Sequence, residues 1–332
     1  MAGSFVLPLP PARAGAADER PTLVVLWLNG GPAGLFNSAD SFLANGAFGV
    51  TTNCVRALGN GLFVDRGSLG ALPESALRHM ASINFRHDVV RPHEHARAAV
   101  LEAGPRSQLL RLAAAIPDGR ARCAVVNDLG LPVGVSATPP AEGGAGFDRV
   151  LDLEGLENTR ADQPVDDVRD AYGMPRAVTA IRDQRPTFVA VDLLVRRGAG
   201  VVFAQPAYTG RPDRQFDTHG DESGEAARAI MAPLTPSLAT FVDRMLALPG
   251  RNVVILLVGE FSRTVPESDH EPGGTATLIG KYIKTGTAGR QTAQGAPPVG
   301  APPPEGLWAF AAAALRLPTA PFGPNPNPEL VL

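Results

Sequence analysis

Two uninterrupted apolar runs of strand length dominate the hydrophobic pattern of the chain. TLVVLWL, residues 22–28, closes at an Asn-Gly-Gly turn, and NVVILLV, residues 252–258, also closes at a glycine. An apolar run without alternation is typical of a strand that is buried on both faces of a sheet. ARCAVVND and GAGVVFAQP are shorter segments of the same character. The pattern predicts central strands of a parallel sheet at these four places.

Helical periodicity separates these runs along the chain. PRSQLLRLAAAIP, PTFVAVDLLVRRG and PLTPSLATFVDRMLALPG space their apolar residues as helices do, and GLWAFAAAALRLP predicts a closing helix. The second of these helices is expected to end at Gly198, because glycine readily takes positive φ. Strands that alternate with helices imply a sheet covered on both faces. We therefore predict an α/β fold: a three-layer α/β/α sandwich with a mostly parallel central sheet.

The chain is predicted to be one domain after a short N-terminal segment. Residues 1–20 form a flexible segment, and residues 21–332 form a single α/β domain with Gly/Pro-rich loops near 136–147 and 285–306, the second long and mobile. The N-terminus has no basic leader, so no working export signal is predicted, although ARAGAAD is similar to the sequence that follows a cleavage site. No apolar run reaches the length of a membrane span.

Charge and cysteine content narrow the expectations about partners. Both charge signs are scattered and the net charge is -3, so neither a nucleic-acid tract nor a polybasic membrane patch is expected. A small-molecule or protein partner is the better expectation. Cys54 and Cys123 form at most one disulfide, or lie buried as small apolar residues. The cysteines therefore leave the redox compartment open.

Three clusters of ionisable residues follow candidate strands or lie in the loops after them. They are Asp217 with His219 in FDTHGD, Glu260 in VGEFSRT, and Asp269 with His270 in ESDHEP. In an α/β sheet, ligands gather at the carboxyl ends of the strands. In extended backbone a spacing of two points the first pair of side chains the same way. Oxygen and imidazole ligands together suit Zn, Mn or Fe, or a mixed pair with Mg.

A purely structural interpretation accounts for each cluster taken alone. Asp217 would cap a turn, and Glu260 would pair with Arg263. Asp269 and His270 would lie in a solvated polar loop. A buried carboxylate at a strand end needs a positive partner, and either a metal or Arg263 would serve. The glycine pairs 30–31 and 273–274 lack phosphate-loop spacing and are interpreted as tight turns.

The order of the motifs resembles a known bacterial family. FDTHGD, an apolar helix, VVILLVGEFSRT, and then SDH and GG are similar to the family called domain of unknown function 1501, which carries Trp-Asp-Thr-His, Gly-Glu-Phe-Gly-Arg-Thr and Asp-His motifs in that order. That family belongs to the alkaline phosphatase superfamily, an α/β sandwich with metal ligands at the carboxyl ends of the strands. LWLNGGPAGLFN, RHDVVRPHEHARAAV and GLWAFAAAALRLP also resemble family segments, so the resemblance covers most of the chain.

The resemblance implies one or two divalent ions (Zn, Mn or Mg) and a small anionic ester as substrate. The implied metal ligands, matched residue by residue, are Asp217, His219, Glu260, Asp269 and His270. Arg263 and Thr264 fall in the family's Arg-Thr pair, and Arg263 is a candidate catalytic residue. Phe216 and Ser262 replace the family's Trp and Gly.

The end of the first strand and the nucleophile depart from the superfamily's pattern. The strand ends in Leu28 and Asn29, where metal-dependent relatives place an Asp ligand, and a neutral amide oxygen binds a cation more weakly. Oxygen donors nearby are Asn29, Asn37 and Asp40. The superfamily's nucleophile lies near the start of the following helix, where the candidates are Ser38, Ser41, Thr51 and Cys54. Ser38 is taken as the candidate nucleophile.

The segment FRHDVVRPHEH adds a group of histidines and arginines: Arg86, His87, Arg91, His93 and His95. These residues would bind an anionic ester or supply an acid near neutral pH, and His93 is the candidate catalytic residue. Exposed positions, or contacts at a helix start after Pro92, account for His93 and His95 equally well.

Two functional hypotheses follow from these residues. The first is a metal-dependent hydrolase of phosphate or sulfate esters, in which a metal-activated hydroxyl or water attacks the ester. The second is a catalytically degenerate relative with a binding or assembly role, favoured by the missing acid at the end of the first strand and by the lack of a clear nucleophile.

Overall fold

The computed structural model describes residues 19–32, 52–103, 106–117, 123–126, 147–150, 165–174, 184–206, 215–292 and 294–332. The described strands are β1 Arg20–Trp27, β2 Val55–Gly59, β3 Leu62–Asp65, β4 Met80–Arg86, β5 Glu102–Ala103, β6 Arg106–Ser107, β7 Cys123–Val126, β8 Phe147–Val150, β9 Val201–Ala204, β10 Arg251–Val258, β11 Ser262–Arg263, β12 His270–Glu271, β13 Gly273–Gly280 and β14 Gly286–Ala288. The described α-helices are α1 Glu74–Leu77, α2 His93–Leu101, α3 Gln108–Ala115, α4 Val165–Ala171, α5 Arg185–Arg196, α6 Glu225–Met231, α7 Thr235–Leu246 and α8 Pro304–Ala314.

Eight of the described strands form one sheet, in the order β14-β4-β13-β10-β1-β9-β7-β8. β1 is parallel to β10 and β9, and β7 is parallel to β9 and β8. β13 is antiparallel to both of its neighbours, β10 and β4, while β14 is parallel to β4. Among these eight strands, β13 is therefore the one that runs against the rest. The prediction of a mostly parallel sheet is confirmed.

Helices pack on both faces of the sheet. Along β1, Val24 and Leu26 belong to one hydrophobic cluster with residues of α5, α6 and α7, whereas Val25 and Trp27 belong to a second cluster with residues of α2, α3 and α8. The division follows from the alternation of side chains along a strand. The Trp308 indole donates a hydrogen bond to the Val100 carbonyl at 2.8 Å, which joins α8 to α2. The three-layer α/β/α sandwich is confirmed.

The strongest sequence patterns gave the right elements. The four apolar runs are β1, β7, β9 and β10, and the four predicted helices are α3, α5, α7 and α8. The helix α5 ends just before Gly198, whose φ is +98°. No disulfide joins Cys54 and Cys123. No helix within the described ranges combines the length and the apolar character needed to cross a membrane.

The interpretation of the second glycine pair as a tight turn was wrong, because Gly273 and Gly274 begin β13. They lie opposite Arg86 and Phe85 of β4. A Cβ on Gly273 would come within 2.3 Å of the Phe85 carbonyl oxygen, and one on Gly274 within 2.7 Å of the Phe85 ring. These glycines therefore serve close strand packing. The first pair, Gly30 (φ +100°) and Gly31 (φ +81°), does form a turn after β1.

The predicted loop at 285–306 contains the edge strand β14, and its described residues are hydrogen-bonded to β4 and β11. The Ser262 hydroxyl donates to the Gly295 carbonyl at 2.9 Å, and Arg86 Nη1 donates to the Pro297 carbonyl at 3.0 Å. Of the other predicted loop and the N-terminal segment, residues 136–146 and 1–18 lie outside the described residues.

Alanine at Gly273 tests the close packing of β13 on β4. Gly59 is the matched control, because its φ of +147° is similar to the +136° of Gly273 but no described atom lies within 4 Å of the position that a Cβ would take there. Strain at positive φ should cost about 1–3 kcal/mol in both variants. Gly273→Ala should lose about 1–3 kcal/mol more through the steric clash, as measured by denaturant unfolding. Equal losses in the two variants would show that the clash is relieved without cost.

Candidate metal centre

The candidate site lies at the carboxyl ends of the central strands. Gly30 follows β1, Glu260 follows β10, and His93 begins α2, the helix after β4. His270 lies on β12, just before β13, and the start of this reversed strand is at the same edge of the sheet. This is the edge at which α/β proteins bind their ligands.

A small hairpin brings His270 back onto the Phe261 ring, with 4.2 Å between the two ring centroids. β11 and β12 pair antiparallel, with Arg263 opposite His270. The Thr264 amide closes the turn by donating to the Asp269 carbonyl at 3.1 Å. The hairpin thus places a guanidinium and an imidazole side by side at one end of the sheet.

Three imidazoles surround one carboxylate oxygen, Oδ1 of Asp217. The distances to it are 3.1 Å from His219 Nε2, 3.7 Å from His93 Nε2 and 3.9 Å from His270 Nε2. Within the described part of the chain, His93, Asp217 and His270 form a group whose ligand atoms all lie within 4.8 Å of one another. The site thus offers two imidazole nitrogens and one carboxylate oxygen to a single point.

The imidazoles of His93 and His270 are both held through Nδ1. His270 Nδ1 lies 3.2 Å from the Val90 carbonyl oxygen, and His93 Nδ1 lies 2.8 Å from Glu260 Oε1. Since a carbonyl oxygen only accepts, Nδ1 of His270 carries the proton. His270 Nε2 is buried and makes no hydrogen bond to a described residue. Burial, and then the charge of Arg263, lower the pKa of His270 to about 4, which leaves the ring neutral at pH 7.

Arg263 is buried beneath the site and holds it together. Its Nε and Nη2 donate to the Gly30 carbonyl at 3.1 and 2.6 Å, Nη2 also donates to Asp217 Oδ1 at 2.5 Å, and Nη1 donates to the Ser268 carbonyl at 3.0 Å. Burial raises the pKa of Asp217, but the hydrogen bond and charge of Arg263 outweigh it, so this pKa lies below its ordinary value. Arg263 therefore keeps Asp217 ionised, and its nitrogens all donate to the protein.

Glu260 lies beside the three-residue group rather than within it. Its carboxylate is fully buried. Oε1 accepts hydrogen bonds from the Gly30 amide at 3.0 Å, from His93 Nδ1 at 2.8 Å and from Arg97 Nε at 3.4 Å. The Glu260 carbonyl oxygen lies 2.8 Å from His87 Nε2, and burial lowers the pKa of that histidine. The structural alternative paired Glu260 with Arg263, whereas the structure pairs Glu260 with His93 and Arg97.

The remaining predicted site residues lie at the rim or outside the described residues. The side chain of His219 is 49% exposed, and that of Asp269 is 64% exposed, with 4.0 Å between His219 Nδ1 and Asp269 Oδ1. Asn29 is buried, and its Oδ1 accepts the Trp27 indole N–H at 3.4 Å. Ser38 lies outside the described residues, as do Asn37, Asp40, Ser41 and Thr51.

Arg97 and Val90 were missed in the sequence. Arg97 follows His93 by four positions on α2, a spacing that places two side chains on the same helix face. The spacing therefore indicates that the two side chains can share a partner, which is Glu260 in the structure. The Val90 contact is made by a backbone carbonyl, and no side-chain pattern indicates it.

No known family model matches the chain, and no curated protein matches it. Several solved structures are similar in fold. A protein in the alkaline phosphatase superfamily from Vibrio parahaemolyticus is 11% identical, with 92% of this chain and 69% of that chain covered and a TM-score of 0.47. A 2-O GAG sulfatase is 11% identical over 94% of this chain and 74% of its own, with a TM-score of 0.44. The soluble domain of lipooligosaccharide phosphoethanolamine transferase A from Neisseria meningitidis is 8% identical over 92% and 90%, with a TM-score of 0.45.

Replacing Arg263 by methionine should strongly destabilise the fold. The change leaves Asp217 without its buried partner, and breaking a buried pair costs about 3–5 kcal/mol. Arg56→Met is the control, because Arg56 pairs with Glu74 at the surface and should cost at most about 1 kcal/mol. Urea unfolding of the two variants measures the difference, and similar small losses would contradict the role of Arg263.

The lowered pKa of His270 predicts acid sensitivity of the metal-free protein. As the pH falls from 6.5, the ordinary pKa, towards about 4, the unfolded chain takes up a proton that the folded chain does not, so stability is lost across this window. The Asp217 contribution falls away only at lower pH, because its pKa is below 3.8. His270→Phe cannot titrate and should make the profile less steep between pH 6.5 and 4, with the contribution of His87, whose pKa is also lowered, remaining. Urea unfolding in the presence of chelator measures this, and parallel profiles would contradict it.

Proposed function

We propose that the chain is a metal-dependent hydrolase of phosphate or sulfate esters. The observation that carries the proposal is the convergence of His93, Asp217 and His270, whose ligand atoms lie within 4.8 Å of one another. The buried Nε2 of His270 has no hydrogen-bond partner among the described residues, as expected for a ligand atom. The motif order FDTHGD, GEFSRT and SDH supports membership of the domain of unknown function 1501 family, within the alkaline phosphatase superfamily.

The chemistry of these residues fits a divalent transition metal. Two imidazole nitrogens with one carboxylate oxygen are a ligand set that Zn²⁺ uses in catalytic sites, with a further position left open. Metal-binding histidines usually give their second nitrogen to a carboxylate or a carbonyl, as His93 does to Glu260 and His270 does to Val90. We assign these three residues as ligands, with His219 placed to add a fourth.

The residues around the triad have separate tasks in the proposed reaction. A bound ion would polarise the ester and lower the pKa of a hydroxyl or water. Arg263 keeps Asp217 charged and fixed, since its hydrogen bond holds Oδ1 at 2.5 Å. His219, half exposed with Nε2 3.1 Å from Asp217 Oδ1, would supply the fourth ligand. Ser38 stays the candidate nucleophile.

A second function, binding without turnover, is supported by one specific observation. Arg263 Nη2 lies 2.5 Å from Oδ1 of Asp217, the same oxygen that faces the imidazoles. A permanent ion pair at that oxygen competes with a cation. If the pair wins, the superfamily's ester chemistry is lost and the site keeps a binding or assembly role.

Metal titration and ester hydrolysis test the proposal on the same preparation. Wild-type protein should bind Zn²⁺ or Mn²⁺ and hydrolyse p-nitrophenyl phosphate or p-nitrophenyl sulfate. Asp217→Asn and His270→Gln should each lower metal affinity by more than the roughly 10–100-fold that losing a residue behind a ligand costs. Glu222→Gln, at an exposed acid of the following loop, should leave both properties unchanged.

The possible results separate the two functions. Metal binding without hydrolysis of either ester would favour the binding role. Folded wild-type protein that retains no Zn²⁺, Mn²⁺ or Mg²⁺ and hydrolyses neither ester would contradict the proposed function.

A further inference from the structure

The buried carboxylate of Glu260 is held through one oxygen: three nitrogens contact Oε1, while Oε2 makes no hydrogen bond to a described residue. It is fully buried, yet it lies outside the group formed by His93, Asp217 and His270. A carboxylate in a dry environment is costly unless donors surround it. We propose that Glu260 is a positioning residue, which holds the His93 imidazole so that Nε2 faces the metal centre. The inference rests on the proposed function, because it assumes that His93 binds the ion.

The direction of the hydrogen bond to His93 follows from the other two donors. The Gly30 amide and Arg97 Nε carry protons that they can only donate, and both point at Glu260 Oε1, at 3.0 and 3.4 Å. That oxygen therefore acts as an acceptor. His93 Nδ1, 2.8 Å from the same oxygen, must then be the donor. The proton on Nδ1 leaves the lone pair of a neutral ring on Nε2.

The His93 ring has little freedom to turn away from this orientation. It stands edge-on to Phe261, with 5.2 Å between ring centroids, and edge-on to His270, with 4.6 Å between centroids. While Nδ1 is hydrogen-bonded to Glu260, Nε2 lies 3.7 Å from Asp217 Oδ1. Without the acceptor at Nδ1, the ring would lose the hydrogen bond that selects this tautomer and this orientation.

The carboxylate that orients His93 is itself anchored to the centre of the sheet. Glu260 follows β10, and the Gly30 amide that donates to it follows β1, the parallel neighbour of β10. Arg97 adds a third contact from α2, the helix that carries His93. Glu260 thus links the ends of two neighbouring strands, β1 and β10, to His93 on α2.

A double-mutant cycle on Zn²⁺ affinity tests the inference. Glu260→Gln keeps the shape but removes the charge, and should weaken Zn²⁺ binding about 10–100-fold. His93→Gln should weaken it at least as much. Because Glu260 acts through His93, the double variant should bind no more weakly than His93→Gln alone. Glu94→Gln, at an exposed acid next to His93 on α2, is the matched control and should bind as the wild type does.

Losses that add in the double variant would overturn the inference, because they would mean that Glu260 acts on the ion independently of His93. Unchanged affinity in Glu260→Gln would also overturn it. Circular dichroism and thermal melting establish that each variant is folded.

The His93 tautomer in the wild-type, metal-free protein provides a measurement that needs no variant. Nitrogen-15 NMR at a pH where the ring is neutral should find the proton on Nδ1. A proton on Nε2 would overturn the inference even if Glu260→Gln failed to fold. If the wild type binds no Zn²⁺, the proposed function fails, and the tautomer alone decides whether Glu260 orients His93.

Discussion

The candidate site depends on one buried guanidinium, that of Arg263. It is 1% exposed, and it bridges the turn after β1, the Asp217 segment and the turn of the β11–β12 hairpin through Gly30, Asp217 and Ser268. A buried charge is tolerated only where acceptors replace its water, and here the three segments together supply those acceptors. The imidazoles then have a fixed, ionised carboxylate to surround. The residues that accept hydrogen bonds from Arg263 thus also bring the parts of the candidate site together.

The sequence predicted the parts of the fold in which burial leaves a plain pattern. β1 and β10 are buried along most of their length and appear as unbroken apolar runs. β4 was missed because it carries Ser82 and Asn84 at buried positions, which gives it a polar pattern in the sequence. Asn84 accepts the Thr275 hydroxyl at 2.9 Å and donates to the Ala288 carbonyl at 2.9 Å, so its neighbours in the sheet satisfy it. Such cross-strand bonds are invisible until the strand order is known.

The sequence indicated candidate residues of the site but not which of them contact each other. Positions after candidate strands, or in the loops that follow them, indicated Asp217 with His219, Glu260, and Asp269 with His270 as candidates for one site. They did not reveal that Arg263 would turn to Asp217 while Glu260 met His93 and Arg97, since each choice depends on contacts between residues more than 40 positions apart. Both partners were chemically available to Glu260. The position of α2 determines the partners of Glu260, because this helix brings both His93 and Arg97 within hydrogen-bond distance of its carboxylate.

Anomalous X-ray diffraction from crystals grown with Zn²⁺ tests the central claim most directly. We expect a peak at the zinc edge about 2.0–2.2 Å from His93 Nε2, from a carboxylate oxygen of Asp217 and from His270 Nε2. The hydrogen bond from His93 Nδ1 to Glu260 should be retained. A fully occupied zinc site elsewhere in the molecule, with these three side chains free of metal, would contradict it.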